Sequence, residues 1–132
     1  PEHLNPNIQK PVTSKLSGVK NIYLLKPLDY INFIYLMSKS HIILTDSGGI
    51  QEEAPALGIP VLVMRNSTER LEAIVSGTAK LVGTQKETII NEIQILLNDK
   101  SEYNKMSKAI NPYGNGEASK KIVNYLKTKY FK

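Results

Sequence analysis

The chain has no cysteine, no tryptophan and only two histidines in 132 residues. Without thiols there is no disulfide, no thiolate metal ligand and no sulfur nucleophile. The two histidines, His3 and His41, are too few for a histidine-based metal centre, so no metal is expected. The lack of cysteine is compatible with a reducing compartment, and a cytoplasmic location is expected. No apolar run reaches the ~18 residues that would cross a bilayer. Residues 1–20 contain no continuous apolar stretch of the signal-peptide kind, so neither a membrane partner nor secretion is expected. Arginine is also scarce: Arg65 and Arg70 are the only two among 17 basic residues. The net charge is +5, but seven of those basic residues are lysines scattered through residues 105–132. No aromatic–basic interleaving accompanies them, which is the pattern of solvated helix faces and not of a nucleic-acid surface.

What is present is an ordinary globular composition, 41% hydrophobic and 22% charged, in a chain of one-domain length. Short apolar runs alternate with helical patterns. Strands are expected at residues 21–25 (NIYLL), 41–45 (HIILT), 60–64 (PVLVM) and 79–82 (AKLV). The second and third of these are continuous apolar runs, typical of strands buried on both faces. Helices are expected at residues 28–38 with Asp29 as cap, 48–57 ending at Gly58, 69–75 ending at Gly77, 87–97, 101–109 and 117–130. In the last of these, Ala118, Ile122, Val123 and Leu126 should face inward. Residues 1–20 read as the least regular part, with Pro1, Pro6 and Pro11 breaking any long element. Alternating strands and helices imply a parallel sheet with helices on both faces.

The informative stretch is residues 45–53, TDSGGIQEE. It joins a buried strand to a helix, and open parallel sheets bind ligands at the carboxyl ends of their strands. Ser47, Gly48 and Gly49 stand where the first free amides of the helix point outward, and glycines let a phosphate approach the backbone. Glu53, four residues after Gly49, shares the glycines' side and suits sugar hydroxyls. Glu52 is turned away by about 100° and is expected to face solvent. These features also describe a serine-capped helix that binds nothing, so both readings stand on the small motif alone. RNSTER (residues 65–70) follows the next strand, and Arg70 is placed to reach an anion at Ser47–Gly49. Its structural alternative is pairing with Glu69 or Glu72. Phe33, on a helix, reads as core, and His3 as a lone structural histidine.

Read together, residues 44–84 (LTDSGGIQEEAPALGIPVLVMRNSTERLEAIVSGTAKLVGT), HLNPN at residues 3–7 and NPYGNGEAS at residues 111–119 resemble the non-hydrolysing UDP-N-acetylglucosamine 2-epimerases. The resemblance covers essentially the whole chain. It implies an α/β fold with a Rossmann-like parallel sheet, the incomplete C-terminal half of a two-domain GT-B architecture. Residues 1–132 would be the UDP-binding C-terminal domain without its first strand–helix unit and without the whole N-terminal domain. The activity implied is interconversion of UDP-N-acetylglucosamine and UDP-N-acetylmannosamine by elimination and re-addition of UDP, with no cofactor. The intact enzyme would be a homodimer. The resemblance puts the diphosphate on Ser47 and Gly48 beside Gly49, the ribose on Glu53, the uracil near Phe33, and Arg70 in the active site. It places His3 beside a second, regulatory nucleotide sugar. Many members carry proline where this chain has Leu71. The catalytic carboxylates belong to the N-terminal half, so this chain alone is expected to be inactive. A fragment of another GT-B enzyme (a hydrolysing epimerase or glycosyltransferase) and a non-catalytic nucleotide-binding module are the alternatives.

Overall fold

A computed structural model describes Pro1 and residues 5–130. His3, and with it part of HLNPN, lies outside the described residues. The chain divides after Leu36 into two compact units. In the first, α1 (Pro6–Leu16) forms where irregular chain is expected. The Asn5 side chain accepts a hydrogen bond from the Asn7 amide at 3.0 Å. Pro6 occupies the first helical position, where its missing N–H costs nothing. Pro11 lies inside the helix and leaves the Asn7 carbonyl without its usual donor. Residues 21–25, expected as a strand, are not one. Asn21 turns at φ 65°, and Tyr23 is 82% exposed, with no apolar face to bury. The helix α2 (Tyr30–Ser38) starts where Asp29 accepts from the Asn32 amide at 3.0 Å and its Nδ2 at 2.7 Å. Those bonds hold the Asp29 carboxyl below the ordinary carboxylate range.

The second unit carries a three-stranded parallel sheet, β1 (Ile43–Thr45), β2 (Val61–Val63) and β3 (Ala79–Leu81), in that order. Ile43 lies opposite Val61, and Val61 opposite Ala79. β2 is central and wholly buried, as its unbroken apolar run requires. β1 departs from the same expectation. Leu44 is 40% exposed, because it shares the face of its register partner Leu62 on the outer strand of the described sheet, next to β2 on one side alone.

Alternation along β2 builds two cores. Val61 and Val63 pack with Ala54, Ala73 and Ala79 on one face. That face is covered by α3 (Gly48–Glu53) with the 3₁₀ turn Ala54–Leu57, and by α4 (Leu71–Val75). Leu62 packs with Val82 and Leu96 on the other, under α5 (Lys86–Asn98) and α6 (Lys100–Ser107). Helices on both faces of a parallel sheet are what the sequence leads one to expect. The switch from α3 to a 3₁₀ turn follows from Pro55, which has no N–H to give the Gln51 carbonyl. Gly58 ends the turn at φ 68°, the left-handed conformation that favours glycine. Leu71 sits at the first position of α4, a place where proline is equally well accommodated.

The last helix, α7 (Ala118–Tyr130), does not turn its stripe inward as spacing alone suggests, and instead leaves it exposed, as the two-domain resemblance implies. None of its residues is buried: Ile122, Val123 and Leu126 are 59%, 47% and 43% exposed. Its apolar stripe has the predicted spacing but no described element covers it. Among the described residues no helix is long and apolar enough to cross a membrane.

Candidate functional site

The loops that follow β1 and β2 emerge side by side at the carboxyl ends of two paired parallel strands. The first leads to α3. Ser47 is its N-cap residue, extended at φ −78° and ψ 133°, and its side chain makes no capping bond. The hydroxyl therefore remains available. The Ser47 amide does not, since it donates to Thr45 Oγ1 at 3.0 Å. The sequence left all three amides free; the buried Thr45 hydroxyl takes one of them, so Ser47 can offer its hydroxyl, and Gly48 and Gly49 their amides.

The second loop delivers Arg70 onto Gly48. A methyl group at Gly48 would come within 3.0 Å of Glu69 Oε1 and 3.9 Å of Arg70 Nη2, whereas at Gly49 it would meet open space. The Arg70 Nε pairs with Glu52 Oε1, and its Nη1 lies 3.7 Å from Glu69 Oε1. Glu52 is thus a partner of the arginine, while its side chain stays 42% exposed. It lies one turn after Gly48, on the side that Arg70 covers. Glu69 also accepts from Arg65 Nη1 at 3.0 Å. Its own backbone amide, then Arg65 and Arg70, hold its carboxyl below the ordinary value. Gly48→Ala is expected to shift folding stability by less than about 1 kcal/mol, because the exposed Glu69 carboxylate can swing aside. It should nonetheless weaken the binding of an anion at this loop, since Glu69 and Arg70 are displaced; thermal melting and calorimetric titration with inorganic diphosphate check both parts.

Glu53, at the end of α3, is half-buried, and its carboxylate has no hydrogen-bond or ion-pair partner among the described residues. A half-buried carboxylate without a partner is costly, and its oxygens are open to ligand hydroxyls. Phe33 is half-buried on α2 in the first unit, its amide bonded to the Asp29 carbonyl at 2.9 Å. It is not the fully buried core residue that spacing suggested.

Two contributors escaped the sequence reading. Gln51 is fully buried, with its Nε2 on the Ser47 carbonyl at 3.1 Å and its Oε1 accepting from Thr68 Oγ1 at 2.7 Å. Tyr113 packs on the α3–α4 face of the sheet, with its hydroxyl buried. Burial, and after it the Glu72 carboxylate, push its phenol above the ordinary value. The signal for Tyr113 lay in the NPYG turn, where its amide bonds Asn111 Oδ1 at 3.1 Å. Nothing local marks Gln51. Among the described residues no group of three His, Cys, Asp or Glu is placed to hold a metal ion.

A family model for UDP-N-acetylglucosamine 2-epimerase matches residues 1–127. The chain belongs to that family. The UDP-N-acetylglucosamine 2-epimerase of Campylobacter jejuni is 63% identical over 126 residues, covering 96% of this chain and 33% of that protein. The crystal structure of the Neisseria meningitidis 2-epimerase bound to UDP-GlcNAc matches with a TM-score of 0.89 at 55% identity, over 96% of this chain and 34% of that one. The Methanocaldococcus jannaschii 2-epimerase, in complex with UDP-GlcNAc and UDP, gives 0.76 at 36% identity, over 94% and 34%. This epimerase-family chain therefore spans about a third of the length of these relatives.

Proposed function

We propose that this chain is the UDP-gripping part of a UDP-N-acetylglucosamine 2-epimerase, which interconverts the gluco and manno epimers by eliminating and re-adding UDP. The observation that carries the reading is Glu53: an unpartnered, half-buried carboxylate one turn behind Gly49, which faces open space, in a chain of this family. In this reading the Ser47 hydroxyl and the Gly48 and Gly49 amides hold the diphosphate, and Glu53 takes the ribose hydroxyls. Phe33 stacks on the uracil, Arg70 faces the departing UDP, and His3 serves a regulatory nucleotide-sugar site. Arg70 suits that place, because charge gathers on the diphosphate as the C1–O bond breaks and a guanidinium stabilises it.

Residues 1–132 form the C-terminal UDP-binding domain in this reading, without its first strand–helix unit. The carboxylates that move the C2 proton come from an N-terminal domain, and the whole enzyme is a cytoplasmic homodimer. The exposed stripe of α7 suits a helix that packs against a part of the protein outside this chain. The purified chain is expected to bind UDP and to form no UDP-N-acetylmannosamine when incubated with UDP-N-acetylglucosamine, followed by NMR. Robust turnover by these 132 residues would overturn the division of labour. Absence of UDP binding would overturn the site.

A further inference from the structure

A buried glutamine is unusual, and this one joins two loops. Gln51 is 0% exposed, although it sits on a six-residue helix whose other polar side chains reach solvent. Both ends of its amide are engaged. Nε2 donates to the carbonyl of Ser47, the residue that opens α3, at 3.1 Å. Oε1 accepts from the Thr68 hydroxyl at 2.7 Å, across 17 residues of sequence. The Thr68 oxygen in turn accepts the backbone amide of Arg70 at 3.1 Å. The line runs from the Ser47 carbonyl through one amide and one hydroxyl to the Arg70 backbone, and every donor and acceptor in it matches. The other link between the two loops at this point, Arg70 to Glu52, is partly exposed on both sides and therefore yielding.

We infer that Gln51 is a positioning residue. Its buried amide sets the separation and angle between the Ser47–Gly49 anion cradle and the Arg70 guanidinium, so that both meet one diphosphate. The inference rests on the UDP-binding reading above and adds the part that fixes its geometry. Size and chemistry are both constrained. Asparagine is one methylene too short to reach both partners. Methionine fills the volume but bonds neither. Glutamate keeps an acceptor for Thr68 and loses the donor to Ser47, placing a carboxylate against a carbonyl.

The test is a set of UDP titrations on the chain. Gln51→Met is expected to remain folded and to raise the Kd for UDP about tenfold, within the range for residues acting in one network. In an Arg70→Ala background the same change should alter Kd by less than about twofold, because the arginine it positions is gone. A general loss of structure would lower affinity in both backgrounds, and an undiminished effect with Arg70 absent overturns the proposal, as does an unchanged Kd in Gln51→Met. If Gln51→Met does not fold, Thr68→Val carries the test from the other end of the line. It should match the Gln51→Met loss and its dependence on Arg70, while Thr68→Ser, which keeps the hydroxyl, retains the parent affinity. Equal affinities for the valine and serine variants overturn the proposal. If the parent chain binds no UDP, the function reading fails first, and Arg70 amide hydrogen exchange judges the strut alone. Exchange should quicken in Gln51→Met or Thr68→Val, and unchanged exchange refutes it.

Discussion

Glu53→Ala will weaken UDP binding by about 1–3 kcal/mol, the usual cost of removing a charge-assisted hydrogen-bond partner. This corresponds to a rise in Kd of about 5- to 150-fold by calorimetry. The carboxylate is half-buried and has no partner among the described residues, so its removal leaves no donor orphaned within them. Folding stability should therefore hold within ~0.5 kcal/mol, or rise, as happens where a group is kept for function at the expense of the fold. A control separates a ribose contact from a general change of charge. With 2′-deoxy-UDP one ribose hydroxyl is missing, and the penalty of Glu53→Ala should shrink. An equal penalty for both nucleotides, or none for either, contradicts the ribose assignment.

Leu62→Ala has a comparable effect on the fold itself. Leu62 is 0% exposed at the centre of the central strand, and it packs with Val82 and Leu96 beneath Ile89, Ile93 and Met106. Neighbours on α5, α6 and the segment after β3 cannot all collapse into the space left behind, so the expected loss is about 2–5 kcal/mol. A domain's total stability is of order 5–15 kcal/mol, so this is a large fraction of it. Urea denaturation reads the change as a lower midpoint at unchanged slope. Leu126→Ala is the comparison: its side chain is 43% exposed on α7, and the same truncation should cost less than about 1 kcal/mol. Similar losses at the two positions would mean that the apolar stripe of α7 is covered in solution.

Period and punctuation made much of the architecture legible. PVLVM announced a buried strand, Gly58 and Gly77 marked helix ends, and TDSGG marked the junction of strand and helix. What failed depended on neighbours that a linear pattern does not contain. Leu44 belongs to an apolar run as continuous as that of β2, yet only its place at the sheet edge decides that it is exposed. Ile122 and Val123 have helical spacing without a surface to meet among the described residues. Proline at positions 6 and 11 argued against a helix that Asn5 and a well-placed Pro6 nonetheless start. In the proposed site, glycines, serine and arginine could be singled out because their chemistry is local. Glu52 and Gln51 were not, since their partners Arg70 and Thr68 lie 18 and 17 residues further on, brought near by strand pairing (70 − 52 = 18).

The even spacing of the sheet has a kinetic consequence. Ile43 pairs with Val61 and Val61 with Ala79, so each crossover closes a loop of 18 residues (61 − 43 and 79 − 61). Closing two short loops in turn costs far less chain entropy than one long-range pairing, which otherwise makes parallel sheets slow to form. A nascent chain can dock β2 on β1 before β3 has been made. That docking step brings together the loops bearing Ser47–Gly49 and Arg65–Arg70, so the two halves of the proposed anion site meet before β3 joins the sheet.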